Sequence, residues 1–201
     1  GNIELVVNWE NNGEAIRKHP SSTIRNESYF YKPAVTWSLT GTKGFGARHV
    51  PQNCLFDNNG SSVFPTNMAL YNVILQFMNT IVAQSLLKVL NPTIAYQVGD
   101  IYNLPVCKNS FSDISTDIGK KMLVISKSDW DSYETSWDFT EPPLLKAEYH
   151  EPTIRETYQN LRVYRQEMTL EMQRLEEENN RIFIEAYGLQ DELTPEVPLS
   201  E

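Results

Sequence analysis

Lys43, Arg48 and His49 lie close together in the sequence, beside the aromatic ring of Phe45, on a segment that also carries three glycines. Cationic and aromatic side chains on a glycine-lined segment suit a polyanion with exposed bases, which describes a nucleic acid. The same composition is typical of a solvated hairpin tip. Residue types alone therefore leave two interpretations of this segment, nucleic-acid contact and an ordinary surface turn.

Residues for nucleophilic or zinc chemistry are sparse and scattered. The sequence has no HExxH pair, no GxSxG elbow, no CxxC pair and no GxGxxG or GxxxxGK[ST] phosphate loop. The two cysteines, Cys54 and Cys107, are expected to be reduced thiols. We therefore predict no catalytic residue in this chain and interpret it as a binding module.

Three aspartates accompany four aromatic residues in the segment DWDSYETSWDF. A metal site at Asp129, Asp131 and Asp138 is a weak alternative, because the spacing and the glycine of a calcium-binding EF-hand loop are absent. We predict no metal site. A standalone enzyme built on these carboxylates is kept as a third and weaker hypothesis.

The charge of the chain is unevenly distributed. The net charge is −9, but residues 1–66 hold six Lys/Arg against five Asp/Glu, and residues 111–201 hold nine against twenty. The acidic average therefore does not exclude a polyanion partner for the N-terminal half, although that half is only mildly basic.

The elements that must position these residues are predicted from periodicity and turn residues. Extended runs are expected at Ile3–Trp9, Tyr29–Tyr31, Val35–Leu39 and Cys54–Phe56, a polar loop over 13–26, and a mobile loop over 40–52. A core helix capped by Thr66 or Asn67 should run to Asn91, followed by two short strands within 96–106 and a helix over 112–126.

The last predicted element is a long helix that begins near Glu151 and ends at Gly188. Its apolar residues follow alternating steps of three and four, interrupted by Arg165 and Asn179 two heptads apart, which predicts a coiled-coil seam with polar register positions. The facing helix would be the 112–126 helix, a second copy of the chain or a segment outside it. The tail after Gly188 is expected to be frayed.

These elements predict an α+β protein: a small mixed or antiparallel β platform with a core helix, followed by a long C-terminal helix of coiled-coil type. The expected units are a target-recognition-like domain over residues 1–110, a helical spacer over 111–190 and a frayed tail over 191–201. No apolar run is long enough to cross a bilayer, and without a signal peptide we expect a cytoplasmic location. The abrupt start suggests a piece of a longer protein.

Four blocks carry a resemblance to a known family. They are YFYKPAVTWSLTGTKGFGARHV with LFDNNGSSVF, LNPTIAYQVGDIYNLPV, DWDSYETSWDF and EENNRIFIEAYGLQDELTPEVPL. In this order they resemble the C-terminal part of the PglX family, the adenine-specific DNA methyltransferases of BREX phage-defence systems. The block around NPT also resembles the close of a target-recognition domain in type I specificity subunits and TaqI-like methyltransferases.

The resemblance implies that one part of the whole protein transfers the methyl group and another part chooses the DNA site. Family members bind S-adenosylmethionine and grip a flipped adenine with an Asn-Pro-Pro-Tyr/Phe motif, and neither feature is found in this sequence. Asn91-Pro92-Thr93 shares only two letters with that motif, so catalysis is not transferred to it. The implied role is the choice of the DNA site in restriction–modification or phage defence, with no cofactor bound by this segment and methyl transfer performed upstream.

On this interpretation the 40–52 loop enters a groove of double-stranded DNA. Arg48 or Lys43 would donate to guanine O6 and N7, and Thr40 or His49 would contact a neighbouring base, which makes Thr40, Lys43, Phe45, Arg48 and His49 the base-reading candidates. The phosphate candidates are Arg17, Lys18, Arg25 and Lys32.

The competing hypothesis is a protein–protein module without base reading. The acidic heptad helix would dock the segment on its own methyltransferase domain, on other defence subunits or on a second copy of itself. The two hypotheses differ in whether the cations of the N-terminal half gather on one face.

Overall fold

The structure, a computed structural model, describes residues 6–41, 44–57, 59–106 and 115–199. A three-stranded antiparallel sheet lies at its centre, formed by β1 (Ala34–Trp37), β2 (Ala47–Val50) and β3 (Ser62–Val63). The strand order is β2-β1-β3, so β2 and β3 are both edge strands. The β1–β2 register pairs Ala34 with Val50 and Trp37 with Ala47.

Six α-helices are present among the described residues. They are α1 (Glu10–Lys18), α2 (Met68–Met78), α3 (Ile81–Leu90), α4 (Val98–Tyr102), α5 (Asp117–Trp130) and α6 (Ile154–Tyr187). Short 3-10 helices cover Glu27–Tyr29, Pro143–Leu145 and Ala147–Tyr149. The predicted α+β class is confirmed, and every strand pairing in the described sheet is antiparallel.

Several predicted elements are corrected by the structure. The expected strand at Tyr29–Tyr31 is wrong: the 3-10 helix ends at Tyr29, and Tyr31 has a positive φ of 61°. The expected loop over 13–26 contains most of α1, whose first turn is irregular because Asn11, Asn12 and Gly13 have positive φ. The part of the expected first strand that the structure describes, residues 6–9, forms no strand.

The predicted core helix is two helices joined at a bend of 71°. Asn67 caps α2 by accepting from the Leu70 N–H at 2.8 Å, and Thr80 caps α3 by accepting from Ala83 N–H at 3.2 Å. No single helix among the described residues is long and apolar enough to cross a membrane; only the bent α2–α3 pair has that length and composition when counted together.

The segment predicted as two strands within 96–106 instead contains α4. The backbone N–H of Gln97 donates to the Asp100 carboxylate at 2.8 Å, which caps the first turn. The helix expected over 112–126 is α5, which begins at Asp117 within the described residues. The expected strand Cys54–Phe56 has no regular structure.

The hydrophobic core joins the sheet to the long helix. Val35 and Trp37 of β1 lie in one cluster with Phe77 of α2 and with Phe183 and Ile184 of α6. The C-terminal half of α6 is thus part of the same core as the sheet. The division at residue 110 into two units stays a prediction.

The chain after Gly188 returns along α6 instead of fraying. Gln173 donates its side-chain N–H to the Val197 carbonyl at 2.6 Å, and Asn180 donates to the Pro195 carbonyl at 3.1 Å. The Val197 N–H in turn donates to Glu177 at 3.2 Å. The described part of the tail, through residue 199, therefore covers one side of the long helix.

Candidate nucleic-acid interface

β2 carries Arg48 on the face of the sheet that points away from the core. Arg48 is paired with Thr36, and Thr36 with Ser62. Because side chains alternate along strands, these three residues share one face. The Arg48 guanidinium donates to Ser38 Oγ at 3.2 Å, which orients it while most of its donors stay available. The arrangement is an exposed arginine on a polar strand surface.

His49 follows on the opposite side of β2, at the edge of the sheet next to α2. Its Nδ1 lies 2.5 Å from the Tyr71 hydroxyl, which donates to the Ala34 carbonyl at 2.9 Å. Partial burial, and secondarily the positive charge of Lys127, lower the pKa of His49. His49 is therefore a neutral imidazole near neutral pH, held by one ring nitrogen.

The 40–52 segment, predicted to be a mobile loop, contains β2 and is held at Thr40 and at Ala47. Thr40 forms an antiparallel bridge with Ala95. The side-chain amide of Asn79 accepts from Ala47 N–H at 3.0 Å and donates to the Ala47 carbonyl at 3.1 Å. The segment is thus a supported strand, anchored by Asn79 just after α2 and by Ala95 just before α4.

Phe45 is a core residue, with only 6% of its surface exposed. Its ring centroid lies 6.5 Å from that of Trp37 and 5.0 Å from that of Tyr96. The ring would have to leave the core to stack on a base, so its base-reading role stays a prediction. Lys43, the remaining base-reading candidate, lies outside the described residues.

Two of the four phosphate candidates are engaged in ion pairs. Arg17 donates to Glu27 through two nitrogens at 3.0 and 2.5 Å and to the Asn12 carbonyl at 2.9 Å. This pairing raises the pKa of Arg17 and lowers that of Glu27. Lys18 pairs with Glu14 one helical turn away. Both cations would have to exchange a carboxylate for a phosphate.

The other two phosphate candidates have no carboxylate partner in the part of the chain that the structure describes. Arg25 is exposed. Lys32 is exposed and its ammonium lies 5.2 Å from the centroid of the Tyr29 ring. Lys32 lies two residues before β1, so it is near the end of the strand that pairs with Arg48.

A row of aromatic rings connects the Arg17 and Lys32 regions. The Arg17 guanidinium lies 5.9 Å from the centroid of the Trp9 ring at one end of the row, and the Lys32 ammonium lies over the Tyr29 ring at the other end. Neighbouring ring centroids are 5.3, 5.4, 5.2 and 4.8 Å apart. In order, the rings are Trp9, Phe30, Phe56, Phe64 and Tyr29.

The two predicted register residues of the long helix lie apart from these cations. Arg165 lines a groove of about 710 Å³ between α5, α6 and the C-terminal tail. Asn179 is buried and donates to the Gln76 backbone carbonyl at 3.2 Å. Much of the apolar heptad stripe of α6 is covered within this chain, because α5 packs along α6 and Leu161 and Leu175 are buried. A coiled coil with a second chain stays a prediction.

Within the described residues no three His, Cys, Asp or Glu side chains form a group that could hold a metal ion. Asp131 and Asp138 both bind the Lys127 ammonium at 2.6 Å. These two carboxylates of the DWDSYETSWDF segment thus form an ion-pair network. Burial alone would raise the pKa of Asp131, but the hydrogen bonds from Lys127 and Ser136 together lower it.

Sequence reasoning missed the residues that orient Arg48 and His49. Ser38 and Tyr71 lie 10 and 22 positions from their partners, and no local spacing links them. Lys127 comes from a helix far along the chain. Only the fold brings these groups together.

The fold and this surface define an α+β module with an arginine-bearing strand, and comparison with known proteins finds two similar proteins. The chain is 36% identical over 206 residues to adenine-specific methyltransferase PglX of Lacticaseibacillus casei (strain Zhang), covering 98% of this chain. It is 32% identical over 197 residues to adenine-specific methyltransferase BrxX of Escherichia coli O9:H4 (strain HS), covering 96% of this chain. No family model matches.

Both proteins are similar to this chain over nearly its whole length. The chain spans only 17% and 16% of their respective lengths.

Proposed function

We propose that this chain is the DNA target-recognition segment of an adenine-specific DNA methyltransferase of a BREX phage-defence system. The observation that carries the proposal is the similarity of nearly the whole chain to two proteins named adenine-specific methyltransferases. An exposed, oriented arginine on a supported edge strand supports it further.

In this proposal Arg48 reads a base. Its guanidinium offers donors only, and guanine presents two acceptors, O6 and N7, in the major groove. The hydrogen bond to Ser38 already orders the Arg48 side chain, so Arg48 loses less conformational entropy when it binds DNA. A bidentate contact of this kind discriminates against the wrong base by about 1–3 kcal/mol.

Lys32 and Arg25 contact phosphates and place the reading strand in register. Such contacts add affinity but little sequence information. With a net charge of −9 on the chain, this segment alone would bind duplex DNA weakly, and other parts of the whole protein would supply affinity. Binding of S-adenosylmethionine and methyl transfer to adenine N6 would likewise be functions of the whole protein.

Methylation-site sequencing with the full-length parent enzyme tests the reading role. Arg48→Ala is expected to relax the preference for guanine at one position of the methylated motif. Arg162→Ala removes an exposed arginine on α6, remote in sequence from the sheet, and is the matched control that should leave the motif unchanged. An identical motif and activity in Arg48→Ala would remove Arg48 from this role.

The phosphate role has a different signature. Lys32→Ala should weaken binding of the parent to cognate and non-cognate DNA alike and reduce the slope of log K against log salt by about one. Lys88→Ala, an exposed lysine in the last turn of α3, is its control. A motif change in Lys32→Ala would instead assign this residue to base reading.

A docking module is the second candidate function, favoured by the N-terminal end of α6. The first two residues of the heptad stripe, Ile154 and Tyr158, are 79% and 57% exposed. Replacing both by glutamate should dissociate the parent from itself or from other defence subunits if they dock there. Intact assembly together with an unchanged motif would argue against docking at this surface.

A further inference from the structure

The hydrogen bonds of His49 determine which of its ring nitrogens carries a proton. The Tyr71 hydroxyl has one proton, and it is donated to the Ala34 carbonyl, which can only accept, at 2.9 Å. With that proton engaged, we assign the Tyr71 oxygen as the acceptor of a hydrogen bond from His49 Nδ1, 2.5 Å away. Neutral His49 is thus the tautomer with its proton on Nδ1.

Tyr71 is well placed to hold this tautomer. Its side chain is buried, and its oxygen also interacts with the backbone N–H of Val50, the residue that pairs with Ala34 at the end of the ladder. Burial raises the pKa of Tyr71 to about 12, so the hydroxyl keeps its proton at physiological pH. The backbone of β1 and β2 therefore offers this hydroxyl an acceptor at Ala34 and a donor at Val50, which leaves the oxygen able to accept from His49 as well.

The second ring nitrogen, Nε2, is left as a hydrogen-bond acceptor. His49 is only partly buried and retains solvent exposure, and Nε2 has no hydrogen-bond partner within the described ranges. The charged groups around the imidazole are Arg48 beside it on β2 and Lys127 of α5, the latter paired with Asp131 and Asp138. Neither β1 nor α2 contributes a charged residue.

We propose that His49 is a specificity-determining residue whose Nε2 accepts a hydrogen bond from the exocyclic amine of a DNA base. In the major groove only adenine N6 and cytosine N4 present such donors, whereas guanine and thymine present acceptors. Tyr71 is the positioning residue that keeps Nε2 free of a proton. This inference rests on the proposed DNA-recognition function and assigns a base class to one contact.

Arg48 and His49 would then require opposite base edges. Arg48 offers only donors and selects guanine, while His49 offers only an acceptor and selects adenine or cytosine. The two side chains leave β2 on opposite faces, so they reach the DNA from the two sides of an edge strand. The recognised sequence is therefore expected to contain a guanine position and a separate adenine-or-cytosine position that respond to different substitutions.

The experiment measures methylation by the full-length parent on a DNA library randomised across the site. His49→Leu, which removes the acceptor, should lower the preference for adenine or cytosine at one position roughly tenfold, the scale of one hydrogen bond. His49→Gln, which restores an acceptor oxygen, should keep much of that preference. Equal loss of the preference in both variants, or an unchanged motif in both, overturns the proposal.

Tyr71→Phe separates positioning from mere packing, because the ring stays and only the hydroxyl is lost. Without it His49 is free to place its proton on Nε2, which becomes a donor. The variant should admit guanine or thymine at the position affected by His49→Leu and at no other. A general loss of activity with the motif intact would show a structural role only and would contradict the proposal.

The pH dependence gives a readout that packing cannot imitate. Protonation of His49 as the pH falls converts Nε2 into a donor, so the preference at this position should move toward guanine or thymine at low pH. His49→Gln should show no such shift, and persistence of the shift in His49→Gln would refute its assignment to His49. If Arg48→Ala changes the motif but no His49 variant does, only this inference fails; if none changes it, the proposed function fails as well.

Discussion

The packing of α5 against α2 depends on Gly119. A Cβ atom added at this position would lie 2.6 Å from Gln76 Cγ and 2.8 Å from its Cδ and Nε2. Gln76 is buried and donates to the Ser115 carbonyl at 3.2 Å. The amide therefore has little room to move away, and Gly119→Ala should destabilise the chain although alanine is the better helix former.

The magnitude follows from three contributions. Overpacking of a well-filled site costs about 1–3 kcal/mol, and displacing the Gln76–Ser115 hydrogen bond costs about 1 kcal/mol more. Replacing glycine by alanine within a helix returns about 1 kcal/mol. We expect Gly119→Ala to lower the free energy of unfolding by about 1–3 kcal/mol, or roughly 2–12 °C in Tm for a chain of this size.

Urea and thermal denaturation, followed by circular dichroism, measure the change. Gly99→Ala is the matched control, because Gly99 lies in α4 and a Cβ there would have no neighbour within 4 Å; it should be neutral or stabilising. In a Gln76→Ala background the cost of Gly119→Ala should vanish. A Gly119→Ala chain as stable as the unaltered one would refute the close packing of α2 and α5.

Three further predictions concern the supports of the sheet and of the long helix. Asn79→Ala removes both hydrogen bonds to the Ala47 backbone and should lower the urea midpoint by an amount equivalent to about 1–3 kcal/mol, whereas an unchanged midpoint would contradict that anchor. Thr153→Ala removes the cap that accepts from the Glu156 N–H at 3.2 Å and should cost about 1 kcal/mol in the same assay; no loss would show that the cap is dispensable. The pKa of His49 is lowered in the folded chain, so below pH about 6.5 the unfolded chain binds more protons than the folded chain. The free energy of unfolding should therefore fall as the pH drops through the unfolded and then the folded pKa of His49. A fall of the same size in His49→Gln would show that His49 is not its source.

The sequence was most informative where local signals and packing agree. The long helix was predicted with its end at Gly188, because a left-handed glycine follows an apolar stripe. The strand at Val35–Leu39 was found for the same reason, since β-branched and aromatic residues there face the core. The cap at Asn67 also followed from residue type alone.

Prediction failed where pairing over a distance decides the structure. β2 has only a weak apolar pattern in Ala47-Arg48-His49-Val50, and it becomes a strand because β1 and Asn79 take up its backbone groups. The opposite error concerns α4, a helix in a segment predicted as strands because Val98, Ile101 and Tyr102 favour strands. The Asp100 side chain caps a helical turn there, a signal that was present in the sequence and was outweighed.

The candidate site was predicted in part. Arg48 and His49 were identified from residue type, but the structure adds the orientation of each through Ser38 and Tyr71. Pairing of Arg17 with Glu27 could not be predicted, since it depends on the chain reversing between α1 and the 3-10 helix.

A segment exchange tests most directly whether this chain chooses the DNA site. In the Escherichia coli relative named BrxX, the part that aligns with this chain at 32% identity would be replaced by this chain, and genomic adenine methylation would be sequenced. The methylated motif is expected to change to that of the full-length protein from which this chain comes. Methylation that continues at the motif of the recipient would contradict it.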